Sequence, residues 1–151
     1  MSAPSRPALL SRPGRLAAGL TLLATIGIEL GGKYVLDISL GEIPRTDFQL
    51  LYARSGHGHA GALATLGIAS IVLTDAAGLK GLPAQMGRWA IPASAVLMPA
   101  GFFLSSSTPV ATEPNAMSAL ITVGGFLLGA ALVVVGGTLA VHGVRGPRSE
   151  N

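Results

Sequence analysis

His57 and His59 stand two residues apart in Ser55-Gly56-His57-Gly58-His59-Ala60-Gly61, where a charged stretch gives way to an apolar run ending at Leu79. Imidazole is the commonest metal ligand and the side chain that changes charge nearest neutral pH. In an extended segment, which Gly56 and Gly58 permit, alternate side chains share one side. His57 and His59 would then chelate zinc or copper, with a carboxylate from Glu29 or Asp37 as third ligand, or serve a haem. On a regular helix the two rings diverge by about 200° and cannot share one ion. Their role is then hydrogen bonding at an interface.

A second set of reactive side chains recurs every four residues: Thr21, Thr25, Glu29, Lys33 and Asp37. That spacing draws one polar stripe along a helix. Glu29 lies 14 residues beyond Arg15, about 21 Å along the axis. An ionisable group that deep in an apolar run is costly unless paired or protonated, which makes it a functional candidate. The alternative is a structural pair in which Lys33, one turn on, neutralises Glu29. Asp75 ends another apolar run, with Lys80 or headgroup water as its expected partner. His142 lies a full span from His57, so the two cannot share an ion. No Gly-x-Ser-x-Gly elbow, phosphate loop or His-Glu-x-x-His motif is present, and a non-enzymatic protein is expected.

The elements that must position these residues follow from composition. Half of the 151 residues are hydrophobic and 11% are charged, against about 25% charged in ordinary soluble domains. So little ionic surface cannot solvate a globule of this size, and lipid is the expected solvent. The net charge of +3 forms no continuous basic face, which argues against nucleic acid as a partner. Without cysteine there is no disulfide and no thiolate site.

Four apolar runs, about 16–36, 59–79, 89–106 and 117–141, predict an all-α integral membrane four-helix bundle over residues 16–143. Residues 1–15 and 144–151 read as tails, the first disordered and cytoplasmic. The first run carries Glu29 and Lys33 and lacks a small-x-small cleavage site, so it is expected to be a retained span. The charged stretch from Asp37 to Gly56 reads as a loop. Within it, Thr46 and Gln49 have capping-box spacing ahead of a short interfacial helix. Pro92 and Pro99 should bend the third span. Tyr34 and Trp89 read as interface aromatics.

Arg6, Arg12, Arg15, Lys80, Arg88, Arg145 and Arg148 fall on one side of such a bundle, and Lys33, Arg45 and Arg54 on the other. Positive charge accumulates inside, so both termini are expected in the cytoplasm and the histidines at the outer face of a plasma membrane. The expected partners are the lipid bilayer, and a membrane protein or a second copy of the chain. In lipid, close backbone approach drives helix association. Gly27-x-x-x-Gly31 and Gly125-x-x-x-Gly129, the latter extended by Gly136 and Ala140, are therefore expected to pack within the bundle.

The run Tyr52-Ala53-Arg54-Ser55-Gly56-His57-Gly58-His59-Ala60-Gly61 resembles the segment before the second helix in a group of small actinobacterial integral membrane proteins. Those share an aromatic-x-Arg-x-Gly-His-x-His-Ala-Gly pattern. More remotely, a His-x-His opening a helix is similar to small relatives of haem-copper oxidase subunit I. Their leucine/asparagine continuation is replaced here by Ala60-Gly61-Ala62. Ala24-Thr25-Ile26-Gly27-Ile28-Glu29-Leu30-Gly31-Gly32 resembles the first helix of small multidrug-resistance transporters. That likeness implies an alternative function, a proton-coupled transporter working through Glu29, from which Lys33 is a departure.

Overall fold

The computed structural model describes residues 9–145, and all regular structure among them is helical. Helix α1 spans Arg12–Ser39. The Ser11 hydroxyl accepts from the Gly14 N–H at 3.1 Å, satisfying one of the free donors of the first turn. Pro13 sits in that turn, where a missing N–H costs nothing. Ser11 to Arg15, expected within a disordered tail, are thus the cap and first turn of a helix. Val144 and Arg145 likewise continue the last helix. Residues 1–8 and 146–151 of the expected tails lie outside the described residues.

Helix α2 spans Asp47–Ala76, 30 residues and about 45 Å long. The capping box forms: Gln49 N–H donates to Thr46 Oγ1 at 3.2 Å, and Thr46 N–H donates to Gln49 Oε1 at 3.1 Å. The helix it opens does not stop at the interface. It runs on through His57 and His59 without a break, so the expected short helix and second span are one element. Gln49 is buried, and its Nε2 donates to Ser106 O at 2.9 Å and Thr108 O at 3.0 Å. Its side chain therefore ties the start of α2 to the loop after the third helical run.

That run comprises α3 (Gly81–Gln85), a π-helical turn (Met86–Ala90) and α4 (Ile91–Ser105). Pro92 cannot donate to the Arg88 carbonyl, and its ring crowds that carbonyl. The wide turn just before it gives the ring room. After a 3₁₀ turn (Ala116–Ser118), α5 spans Ala119–Arg145.

The helices alternate in direction. α2 and α4 form the centre, α1 packs on α2, and α5 packs on α4 and the π turn. Glycines set the close approaches. A β-carbon on Gly101 would lie 2.7 Å from Ile121 Cγ1, and one on Gly67 would lie 3.3 Å from Pro92 Cγ. One on Gly87 would overlap the Thr74 hydroxyl. Gly124 likewise meets Met98, whereas nothing lies near Gly125, Gly129 or Gly136. The expected glycine face of α5 is therefore turned outward by one residue, about 100°, and its neighbour Gly124 makes the contact. Gly27 is open as well, while Gly31 meets Phe103.

Polarity runs against the pattern of a water-soluble fold. Thr74, Ser94 and Ser105 are fully buried, while Leu30, Phe126 and Val133 are 68%, 78% and 75% exposed. Three helical stretches, Arg12–Ser39, Asp47–Ala76 and Ala116–Arg145, are long and apolar enough to cross a membrane. α4 alone has 15 residues, about 22 Å, but α3 and the π turn extend the helical run in front of it.

Candidate functional site

α1 and α4 both lean on α2 but scarcely touch each other. The space between them is a groove of about 390 Å³. Its α1 wall is one helical face: Ala17, Leu20, Thr21, Ala24, Gly27, Ile28 and Gly31. His57, Ala60 and Ala64 of α2 form the floor, and Trp89, Pro92, Val96, Pro99 and Phe103 lie on the opposite wall. The small residues on α1 make the space, because no side chain reaches across it. No charged residue lines it. The Thr21 hydroxyl is spent on the Ala17 carbonyl at 2.8 Å.

His57 closes the end of this groove nearer the α1 C-terminus. Its ring occupies a slot that only glycine provides. A β-carbon on Gly32 would come 2.9 Å from its Cε1, and one on Gly31 would come 4.0 Å from its Nδ1. Phe103 stands at the same level, itself 6.1 Å from the Tyr34 ring. His57 Nδ1 is buried and has no hydrogen-bond partner among the described residues. An unsatisfied buried polar atom costs about 1–3 kcal/mol. His57 thus brings to the groove a polar side chain not already engaged, with the indole N–H of Trp89 on the wall beyond it.

The other residues singled out from the sequence are dispersed. His59 is exposed on another face of α2, with Nδ1 2.8 Å from Ser55 O and its ring 5.1 Å from that of Phe102. Because the segment is helical, the rings diverge, and the extended arrangement needed for a shared ion is not adopted. Glu29 is exposed on the flank of α1 turned about 150° from the groove. Among the described residues, no three of His, Asp and Glu gather as metal ligands would. Lys33 does not pair with Glu29. It binds both carboxylate oxygens of Asp37 at 2.8 Å. Asp37 lies one turn nearer the helix end, so a long lysine reaching toward water meets it first.

Asp75 also has an unexpected partner. Its Oδ1 accepts from Arg88 Nε at 2.8 Å and Nη2 at 2.6 Å. Its Oδ2 accepts from Ser11 N–H at 2.8 Å and Ser11 Oγ at 2.9 Å. Lys80 is closer in sequence, but the turn through Gly78 and Gly81, both at positive φ, carries the chain back so that Arg88 faces Asp75. One carboxylate therefore ties α1, α2 and the π turn together.

Sequence reasoning passed over the groove, Arg88 and the Gly31-Gly32 slot. The available signal was the small residues at 17, 24, 27 and 31, which share one face of α1. No family model, curated protein or solved structure matches this chain. Its function must therefore be argued from the geometry.

Proposed function

We propose that this chain is a non-enzymatic integral membrane protein of four crossings that binds a membrane-dissolved partner in the groove between its first and third crossings. The exposed leucines, valines and phenylalanine on α1 and α5 are what lipid as solvent requires, since an all-round apolar helix has no water-facing side. The run from Gly81 to Ser105, 25 residues when its three segments are joined, supplies the fourth crossing, at about 37 Å. Arg12, Arg15, Lys80, Arg88 and Arg145 belong to the Ser11–Asp75 end, and Lys33, Arg45 and Arg54 to the other. That bias supports both ends of the chain on the cytoplasmic side of a plasma membrane.

The observation that carries the reading is the buried, unpartnered His57 nitrogen at the head of an uncharged groove. Binding sites are mostly apolar with a few well-placed polar groups, and His57 is such a group here. The chain's single tryptophan, Trp89, lies on its wall and supplies the test. In vesicles of lipids brominated along the acyl chain, Trp89 emission should be quenched. Ala24→Phe, which fills the groove from α1, should relieve much of that quenching while leaving the helical circular dichroism unchanged. Equal quenching in the folded variant would refute the groove as a binding site.

A further inference from the structure

We infer that the occupant is a single-chain lipid with one uncharged hydroxyl head held by His57. This rests on the groove reading and specifies its ligand.

Shape selects that class. From Ala17 to Gly31 the groove follows 14 residues of α1, about 21 Å. Its 390 Å³ is drawn out along that length, so it takes an extended hydrocarbon chain, whose carbons find wall contacts at about 3.5–4.0 Å. A transmembrane helix, about 10 Å across, does not fit.

Depth selects the head group. His57 packs at the level of Gly31 and Gly32, seven residues or more before the α1 end at Ser39, hence about 10 Å inside that end. A phosphate or carboxylate there would be desolvated with no cation beside it, because no lysine or arginine lines the groove. A neutral head pays no such penalty.

Chemistry narrows it further. A neutral imidazole has one donor and one acceptor nitrogen, and a hydroxyl can complement either. His57 itself lines the groove, and the last torsion of histidine is broad and roughly two-fold, so a turn of the ring exchanges the edge that faces the glycine slot. The chain then runs from His57 toward Trp89 and Ala17, past the uncharged side chains of Ile28, Ala24 and Leu20 on one wall and Val96 and Pro92 on the other. Fatty alcohols, prenols and quinols with one tail have this build.

The test uses the full chain in nanodiscs. A dibrominated hexadecane in the groove quenches Trp89, and unlabelled probes displace it: hexadecane, hexadecanol and hexadecyl phosphate. Hexadecanol should compete roughly threefold to tenfold better than hexadecane, the value of one hydrogen bond, and hexadecyl phosphate worst. In His57→Phe the preference for hexadecanol should vanish with hexadecane unchanged, and in His57→Gln it should largely persist. Equal competition by hexadecane and hexadecanol, a preference surviving in His57→Phe, or the phosphate winning would overturn the head-group assignment while leaving the groove standing. If no probe displaces the quencher, or the quencher itself has no effect, the groove reading fails first.

Discussion

Removing the Asp75 carboxylate should unfasten three elements at once. The side chain is 2% exposed and that of Arg88 14%. In Asp75→Leu, the guanidinium loses both bonds it makes to the carboxylate, and Ser11 loses the acceptor for its N–H and hydroxyl. Breaking a buried pair by deleting one partner costs about 3–5 kcal/mol, chiefly because the surviving charge stays desolvated. Arg88→Met should cost less, about 1–3 kcal/mol, since Asp75 keeps its two bonds from Ser11. The double variant Asp75→Leu/Arg88→Met leaves no stranded charge, and apolar replacement of buried pairs is often near neutral. It should fall within about 1–2 kcal/mol of the parent, the residue being the lost Ser11 acceptor. Unfolding in mixed micelles, followed by emission of Trp89 beside Arg88, measures all three. Single variants each below about 1 kcal/mol, or costs that simply add in the double variant, would show that this carboxylate does not hold the helices together.

Glycine substitutions read out which faces are packed. Gly87→Ala and Gly101→Ala should destabilise by about 1–3 kcal/mol through overpacking, whereas Gly129→Ala and Gly136→Ala, with open space around them, should be neutral or stabilise by up to about 1 kcal/mol; the reverse order in the same unfolding assay would mean that α5 presents its other face to α4. Glu29→Gln should leave groove binding unchanged and shift stability by less than about 0.5 kcal/mol, because Glu29 lies on the far flank of α1. Loss of a proton-coupled flux in reconstituted vesicles would instead make Glu29 the working residue. Thr46→Ala removes the Oγ1 half of the capping box and the bond to the Ala111 carbonyl, leaving the backbone N–H of residue 46 on Gln49 Oε1, and should cost about 1–2 kcal/mol with faster amide exchange in residues 47–50, a change whose absence would show that α2 does not depend on this cap.

The helices were legible because hydropathy and length report directly on burial in an apolar medium. Where α2 begins was half legible: the Thr46/Gln49 box marks the start, but the charges at Asp47 and Arg54 look like loop. They are tolerated because Arg54 lies on the outer face, donating to Ser39 Oγ at 3.2 Å. Partner choice was not legible. Lys33 has an acid one turn away on either side, and only its direction along the helix decides for Asp37. Asp75 reaches Arg88 rather than Lys80 through two positive-φ glycines, a backbone feature that sequence distance hides. The glycine motif of α5 failed for a similar reason. Gly124 and Gly125 are adjacent, and the packed face follows from where Met98 of α4 falls, which no pattern within α5 contains.

The groove itself is a consequence of how α1 is held. At one end Ser11 is bound to Asp75, and at the other the Gly31-Gly32 slot admits His57 while Arg45 Nε donates to Tyr34 Oη at 3.0 Å. Between these anchors the α1 face toward α4 is rich in small residues, Ala17, Ala24 and Gly27, set among Leu20, Thr21 and Ile28. α4 carries Pro92 and Pro99 on the facing side, seven residues apart and so on one stripe of the helix. Neither proline, nor Val96 between them, fills the space up to the small side chains of α1. The gap is therefore built into the covalent chemistry of α4 and the small side chains of α1. A dense interior does not leave a void of this size unlined by contacts without losing the dispersion energy of its walls. In a bilayer the nearest material to restore those contacts is a hydrocarbon chain. His57, whose Nδ1 nothing among the described residues satisfies, is the group placed to decide which chain stays.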